Sequence, residues 1–246
     1  MPRRKLESEI EVAECEIKME EAFTHDDWLQ ITDRVLAVSY FLRQKKCDVN
    51  LFRALPPVEK SQVGEFQRKT GLRFERDFQD FVKSCAGGWR FSWSLFLDDK
   101  SGPLEPPVKM GTFGGNSNAD FIGASENFTL LQAYEEFQTI ARDSYIENEE
   151  TLAILPALFP LQLSEGGGAD FTVLRLDMKP AEVHFLSHDE DYALRENSSL
   201  LARGFRQFLL RWSSLGFLSL EHVGAGEDDP VKARAWWDWL SDPTAR

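Results

Sequence analysis

The chain has little of what reactive chemistry commonly requires. Its 246 residues hold three cysteines, Cys15, Cys47 and Cys85, an odd number with no C-x-x-C pair. Scattered thiols of that kind build neither a disulfide frame nor a zinc site, and reduced thiols in a cytosol are the expectation. No apolar run approaches the roughly 18 residues that a membrane span needs. Acidic residues interrupt the opening MPRRKLESEIEVAECEIK, so it lacks the apolar centre of a secretory leader. The expectation is a cytoplasmic protein that stays out of membranes. Positive charge is scarce as well: 28 Lys and Arg stand against 41 Asp and Glu, a net charge of −13. A field of that sign repels nucleic acid and anionic lipid and steers a basic partner inward. The plainer alternative is that acidity keeps the protein soluble.

Catalytic motifs are missing too. There is no G-x-S-x-G elbow, and Cys85 falls on the inner side of an amphipathic segment, where a cysteine behaves as a small hydrophobe. The stretch FPLQLSEGGGADFTVLRLD carries three consecutive glycines, Gly166 to Gly168. A phosphate cradle needs a lysine and a following helix. Here Glu165 and Asp170 flank the glycines and a β-type run follows, so the triplet is read as a hairpin turn. His184 and His188 have helical metal-ligand spacing, but EVHFLSHD alternates like a strand, which separates them by roughly 13 Å. Carboxylates such as Glu165 with Asp170, or those of HDEDY (188–192), are the residue types of glycoside hydrolysis. In so acidic a chain such neighbours arise without purpose. No catalytic set, metal or cofactor is expected.

What is present is hydrophobic periodicity and many aromatic rings: 42% of residues are hydrophobic, with 19 Phe and 7 Trp. Leu6, Ile10, Ala13 and Ile17 recur at helical spacing, and Thr24 with Asp27 forms an acidic capping box before a second stripe of Trp28, Ile31, Val35, Val38 and Leu42. Residues 1–50 are therefore read as a helical hairpin attached to the main domain. After Pro56-Pro57, helices are predicted from Val58 to Thr70, closed by Gly71, and from Glu75 to Cys85. WRFSWSLFL (89–97) alternates as one strand with an aromatic face. Residues 98–128 read as a long loop with one short strand, FIGA. A helix over 130–142 would turn Leu131, Tyr134, Phe137 and Ala141 inward. Strands follow at TLAIL with LFPLQL, at DFTVLRLD and at EVHFLSHD. Ser198-Ser199 would cap a helix carrying Leu201, Phe205, Phe208, Leu209 and Trp212. Residues 221–246 form an acidic tail rich in tryptophan. Trp236, Trp237 and Trp239 either dock on the chain's own body or anchor a partner, since tryptophan is favoured in interface hot spots. Helices, then short-connected strands, then a closing helix make an α+β order with an antiparallel twisted sheet flanked by helices.

Five segments in order resemble the SUKH superfamily, which includes cell-wall assembly regulators and bacterial immunity proteins. They are the helix ending Thr70-Gly71-Leu72, FERDFQDFVKSCAGG, FPLQLSEGGGADFTVLRLD, AEVHFLSHD and SSLLARGFRQFLLRW, within residues 51–220. Ala169 separates the glycines from Asp170, where the family often places them side by side. The resemblance implies a non-catalytic module that neutralises a polymorphic toxin, such as a nuclease or deaminase, by binding it. The acidic Glu165, Asp170, Asp189, Glu190 and Asp191, with Trp236 and Trp237, are the residues expected at that contact, and the partner is expected to be a basic protein. A regulatory scaffold for a cellular protein, a hydrolase built on Glu165 and Asp170, and self-association through the hairpin or tail are the alternatives.

Overall fold

The computed structural model describes residues 22–45, 47–49, 52–90, 92–94, 116–118, 129–142, 146–163, 170–194, 199–217, 220 and 230–242. The first half of the expected hairpin lies outside the described residues. The second half is helix α1 (His25–Gln44), and it starts where the capping box places it. The Thr24 hydroxyl accepts from the Asp27 amide at 3.1 Å, while the Asp27 carboxylate accepts from the Thr24 amide at 2.8 Å. Its predicted apolar stripe is buried in full.

Two short strands, β1 (Asp48–Val49) and β2 (Arg53–Leu55), lead to α2 (Lys60–Thr70) and α3 (Arg76–Ser84). Gly71, with φ of 75°, ends α2 in the left-handed conformation that favours glycine. Gly87 lies so close to the backbone that an added Cβ would meet the Pro56 carbonyl oxygen at 2.5 Å. Two described strands overlap the aromatic run expected as a strand over 89–97. β3 (Gly88–Arg90) pairs with β2, whereas β4 (Ser92–Ser94) pairs with β1 and with β5 (Asn116–Asn118). Residues 95–97 and the FIGA segment lie outside the described residues.

Helix α4 (Leu130–Ile140) also begins in a capping box, between Thr129 and Gln132. It buries Leu130, Ala133 and Phe137, with Ala141 just beyond, and leaves Leu131 and Tyr134 half-buried. TLAIL is helical rather than extended: it belongs to α5 (Glu149–Ile154) and a following 3-10 turn. The Asn148 side chain caps this helix by accepting from the Thr151 amide at 3.0 Å, and Glu149 and Glu150 suit its positive N-terminal end. Extended backbone starts only at Leu158.

From there β6 (Leu158–Leu163), β7 (Phe171–Arg175), β8 (Glu182–Leu186) and β9 (Leu200–Arg203) form an antiparallel meander in chain order. The glycine triplet lies outside the described residues, but the strands on either side of it pair antiparallel, Leu163 opposite Phe171. Ser199 does not cap a helix. Its carbonyl accepts from the Phe185 amide and draws the chain onto the sheet, so Leu201 sits in β9 and α6 (Phe205–Ser214) starts after Gly204, with φ of 105°. The last helix is α7 (Pro230–Ser241).

Alternation along the strands gives the sheet two apolar faces. Leu174, Val183 and Leu201 join one large cluster that also takes in α1, α2, α3, α6 and α7. Phe171, Val173 and Leu186 face a smaller cluster with Phe137, Leu155 and Tyr192. Rings fill much of the large cluster: Phe66 stacks on Phe74 at 4.3 Å, and Trp28 on Trp89 at 5.6 Å. The structure is thus α+β, with antiparallel sheet between helical layers.

One polar knot lies within this apolar layer. The Arg206 guanidinium donates two bonds of 2.9 Å to the Asp27 carboxylate, and the Arg206 amide donates to Asp77 at 2.9 Å. Burial by itself would raise the Asp27 carboxyl, but the bonds from Arg206 and Thr24 outweigh it and leave the group below its ordinary value. Removing one partner strands the other charge, so Arg206→Met should lower the unfolding free energy by about 3–5 kcal/mol. Adding Asp27→Leu should restore part of that loss; urea titration of the single and double variants checks both.

Candidate functional site

Three consecutive exposed acidic residues, Asp189, Glu190 and Asp191, follow the end of β8. Residues 187–194 form a tight turn in which the Ser187 hydroxyl accepts from the Asp189 amide at 3.2 Å and the Ser187 carbonyl accepts from the Tyr192 amide at 2.9 Å. Asp191 and Tyr192 hold left-handed backbone, with φ of 53° and 56°. The fold overrides the cost of that conformation by anchoring Tyr192. Its ring is buried in the smaller core, and its carbonyl accepts from the Thr151 hydroxyl at 2.9 Å. Asp170, immediately before β7, accepts at 2.8 Å from both the amide and Nδ1 of His188. The Asp189 carboxylate reaches Nε2 of the same ring at 3.4 Å.

Of the expected contact residues, then, Asp170, Asp189, Glu190 and Asp191 are brought together on one ledge, with different roles. Asp170 is mostly covered and holds the turn, whereas the Asp189 side chain is 78% exposed, and Glu190 and Asp191 are also exposed. His188 belongs to this turn and not to the strand, as its partner. Nothing local in EVHFLSHD announces the bond to Asp170. Glu165 lies outside the described residues.

The two tryptophans expected at a contact are placed differently. Trp236 is buried, donates from Nε1 to the Gly216 carbonyl at 3.2 Å and stacks on Trp239 at 5.4 Å. Trp237 is half-buried and donates to the Ser214 carbonyl at 2.8 Å. These carbonyls lie at the C-terminal end of α6, where helices leave acceptors unmatched. Gly216 has φ of 68°, and a Cβ there would stand 2.7 Å from the Trp236 Nε1. Lys45 completes the seam. Its ammonium lies 4.2 Å above the Trp239 ring and donates to the Asp242 carbonyl at 2.8 Å. The tail docks on its own body, and Trp236 does not face a partner in this conformation. Trp236→Ala should cost about 3–5 kcal/mol of stability, and Trp237→Ala less; thermal or denaturant unfolding of the two variants separates them.

A second polar cluster escaped the sequence reading. Glu182 and His184 project from the same face of β8, and Ser199 lies beside them. Ser199 Oγ is 3.1 Å from His184 Nδ1, and His184 Nε2 is 3.2 Å from a Glu182 oxygen. Arg203 stands 3.6 Å from the other oxygen of Glu182. A neutral imidazole protonated at Nε2 donates to the carboxylate and accepts the serine hydroxyl proton, which is the connectivity of a serine nucleophile with its base. Ser199 is only 2% exposed, however, and a substrate carbonyl has no approach to its oxygen. The cluster instead fastens β8 to the segment entering β9. The even spacing of Glu182 and His184 on a strand was legible; the arrival of Ser199 was not, because it depends on β9 pairing with β8.

Burial pushes the His184 imidazole below its ordinary value, with the Glu182 bond opposing that shift. The folded state therefore resists protonation more than the unfolded chain does. The contribution is fully present above the unfolded value of about 6.5 and is lost as pH falls below it. Unfolding free energy measured from pH 8 to pH 5 should decline through that window, and His184→Gln should flatten the decline.

Burial raises the thiols of Cys47 and Cys85 to about 11, so both stay protonated and poorly nucleophilic at neutral pH. An open groove of about 850 Å³ between α2 and α3 is lined by residues such as Gln67, Arg68, Arg73 and Phe74, and its lining includes no carboxylate, histidine or cysteine. Among the described residues, no cluster of three or more His, Cys, Asp or Glu is placed to hold a metal, and no helix is long and apolar enough to cross a membrane. The chain matches no family model, no curated protein and no solved structure.

Proposed function

We propose that this chain is a non-catalytic binding protein, SUKH-like in fold, that neutralises a cognate basic protein toxin by direct contact through the acidic ledge. The observation that carries the reading is the ledge itself. Asp189, Glu190 and Asp191 are exposed on a turn whose backbone is held by Asp170, Ser187 and the buried Tyr192. A turn whose backbone is fixed in advance loses little freedom when a partner arrives. Their field adds to a net charge of −13, and a toxin that grips phosphate must itself present basic surface. Such a pairing accelerates encounter and falls with salt.

The order of elements supports the SUKH-like assignment: a helix closed by Gly71, a second followed after Cys85 by Gly87-Gly88, an antiparallel meander, then α6 carrying Phe205, Phe208 and Leu209. The burial of Ser199 and the raised thiols of Cys47 and Cys85 favour binding over chemistry. The reading commits the protein to the cytoplasm, where an immunity protein must meet a toxin before it reaches its target.

Co-expression with the product of the adjacent reading frame tests the proposal. Cells carrying both should grow, and cells carrying that product alone should not; equal killing with and without this chain sinks the idea. Reversing the ledge charges with Asp189→Lys, Glu190→Lys and Asp191→Lys should slow association at least tenfold at low salt while leaving thermal stability nearly unchanged. An association rate indifferent to both the triple variant and salt would place the contact elsewhere.

A further inference from the structure

The body takes one face of α1, the stripe from Trp28 to Leu42, and leaves a second strip almost directly opposite. On that strip Leu29, Leu36 and Tyr40 are 48%, 60% and 60% exposed. Asp26, Asp33 and Arg43 continue the same line and are exposed as well. Positions 26, 29, 33, 36, 40 and 43 step by three, four, three, four and three, the spacing of a coiled-coil seam, along about 26 Å of helix. Single exposed hydrophobes are ordinary, but three large ones in line are a surface that is normally covered.

Symmetry and charge select the cover. The spacing reads the same in both directions, so a second α1 running the opposite way meets the strip at every position. Asp26 then lies opposite Arg43 of the second copy, Leu29 opposite Tyr40, and Asp33 opposite Leu36, each pair occurring twice about a two-fold axis. Opposite charges meet at both ends. Two copies running the same way would instead set Asp26 against Asp26, Asp33 against Asp33 and Arg43 against Arg43, and like charges disfavour that orientation. Neither Asp26 nor Arg43 has an ion-pair partner among the described residues, so both are available for this use. The flanking Gln30, Thr32, Ala37 and Ser39 carry no charge, which matters between two molecules that each carry −13. Asp33 is the exception: its two copies flank the axis, and a polar seam residue costs stability while fixing the register. Seam and flanks together make a contact well below the roughly 20–30 residues a side of a standard interface, so the dimer is weak, with a Kd of about 10–100 µM.

We propose that the outer strip of α1 is an interface with a second copy of this chain, formed by two α1 helices packed antiparallel with Asp26 opposite Arg43. The inference is independent of the toxin-binding reading, because it uses no residue of the acidic ledge.

Two measurements on the full-length chain decide it. Sedimentation equilibrium from about 1 to 500 µM should show monomers passing into dimers. Leu36→Asp should weaken the dimer at least tenfold and Asp33→Leu should tighten it at least tenfold, both with thermal stability of the dilute monomer nearly unchanged. The second measurement uses a Cys15→Ser background and mild oxidation. A mixture of Leu29→Cys chains with Tyr40→Cys chains should form a disulfide between the two. Neither variant should crosslink with itself, because residue 29 stands eleven positions, about 16 Å, from residue 29 of the second copy, and residue 40 likewise. The native Cys47 and Cys85 thiols, raised to about 11, compete little. A chain that stays monomeric throughout that range overturns the proposal and leaves the strip to another part of this chain or to a foreign partner. A dimer indifferent to Leu36→Asp places self-association elsewhere and overturns it too. Self-crosslinking of either single variant, without the mixed product, means parallel helices and overturns the register.

Discussion

Arg206 on α6 is held by two carboxylates from separate helices, Asp27 near the start of α1 and Asp77 near the start of α3. The first takes its guanidinium in a two-bond clasp; the second takes its backbone amide, and also accepts from the Phe78 amide. Gly204, which precedes α6, has no side chain to cap it, so Asp77 does from across the interface what a local serine or aspartate does elsewhere. Asp27 meanwhile serves two structures at once, since it also closes the capping box of α1 with Thr24. The geometry of three helices is therefore set by directional bonds within a layer otherwise held by rings that could slide. Burial raises the Asp77 carboxyl and the bonds to Arg206 and Thr24 lower that of Asp27, so one network balances opposite electrostatic demands.

The sheet divides the molecule in the same economical manner. One face supports the large aromatic cluster and the other the smaller one, but the second face is not apolar throughout. Toward one end it carries Arg175, Glu182, Arg203 and His184, satisfied by Asp177, Ser199 and each other. At the opposite end of β8 the chain leaves into the turn of Asp189 to Asp191. The buried polar cluster and the exposed acidic ledge are thus products of a single strand. The first pins β8 against β9; the second is displayed because β8 is pinned and because Tyr192 locks the turn from within.

A surface that works by shape and charge has different requirements from one that works by bond making. It needs its charges outside, held still, and its reactive groups covered. The ledge displays Asp189, Glu190 and Asp191, the Cys47 and Cys85 thiols are held protonated, and Ser199 is enclosed. The docked tryptophan tail adds a seam along α6 and α1, where Lys45 lies over the Trp239 ring and indole N–H groups satisfy the last carbonyls of α6. It makes the C-terminal helix part of the body that carries the ledge.

Local chemistry alone determined a good deal. Capping residues, periodic apolar positions and glycine stops located α1, α2, α3 and α4, and alternation located β7 and β8, because each of these signals acts over one or two turns of chain. Where two local readings competed, the longer-range partner chose. TLAIL has strand-like composition but is helical, with the Thr151 hydroxyl donating to the distant Tyr192 carbonyl; Ser199 became a strand-edge acceptor because Phe185 offers it an amide. The site followed the same division. The acidic residues at 189–191 were visible as a charged run, whereas the bond from Asp170 to His188, the approach of Ser199 to His184 and the inward turn of Trp236 join residues 15 to 20 apart in sequence. Those distances are crossed only when strands pair and helices dock, so burial and partnership were decided by the tertiary structure.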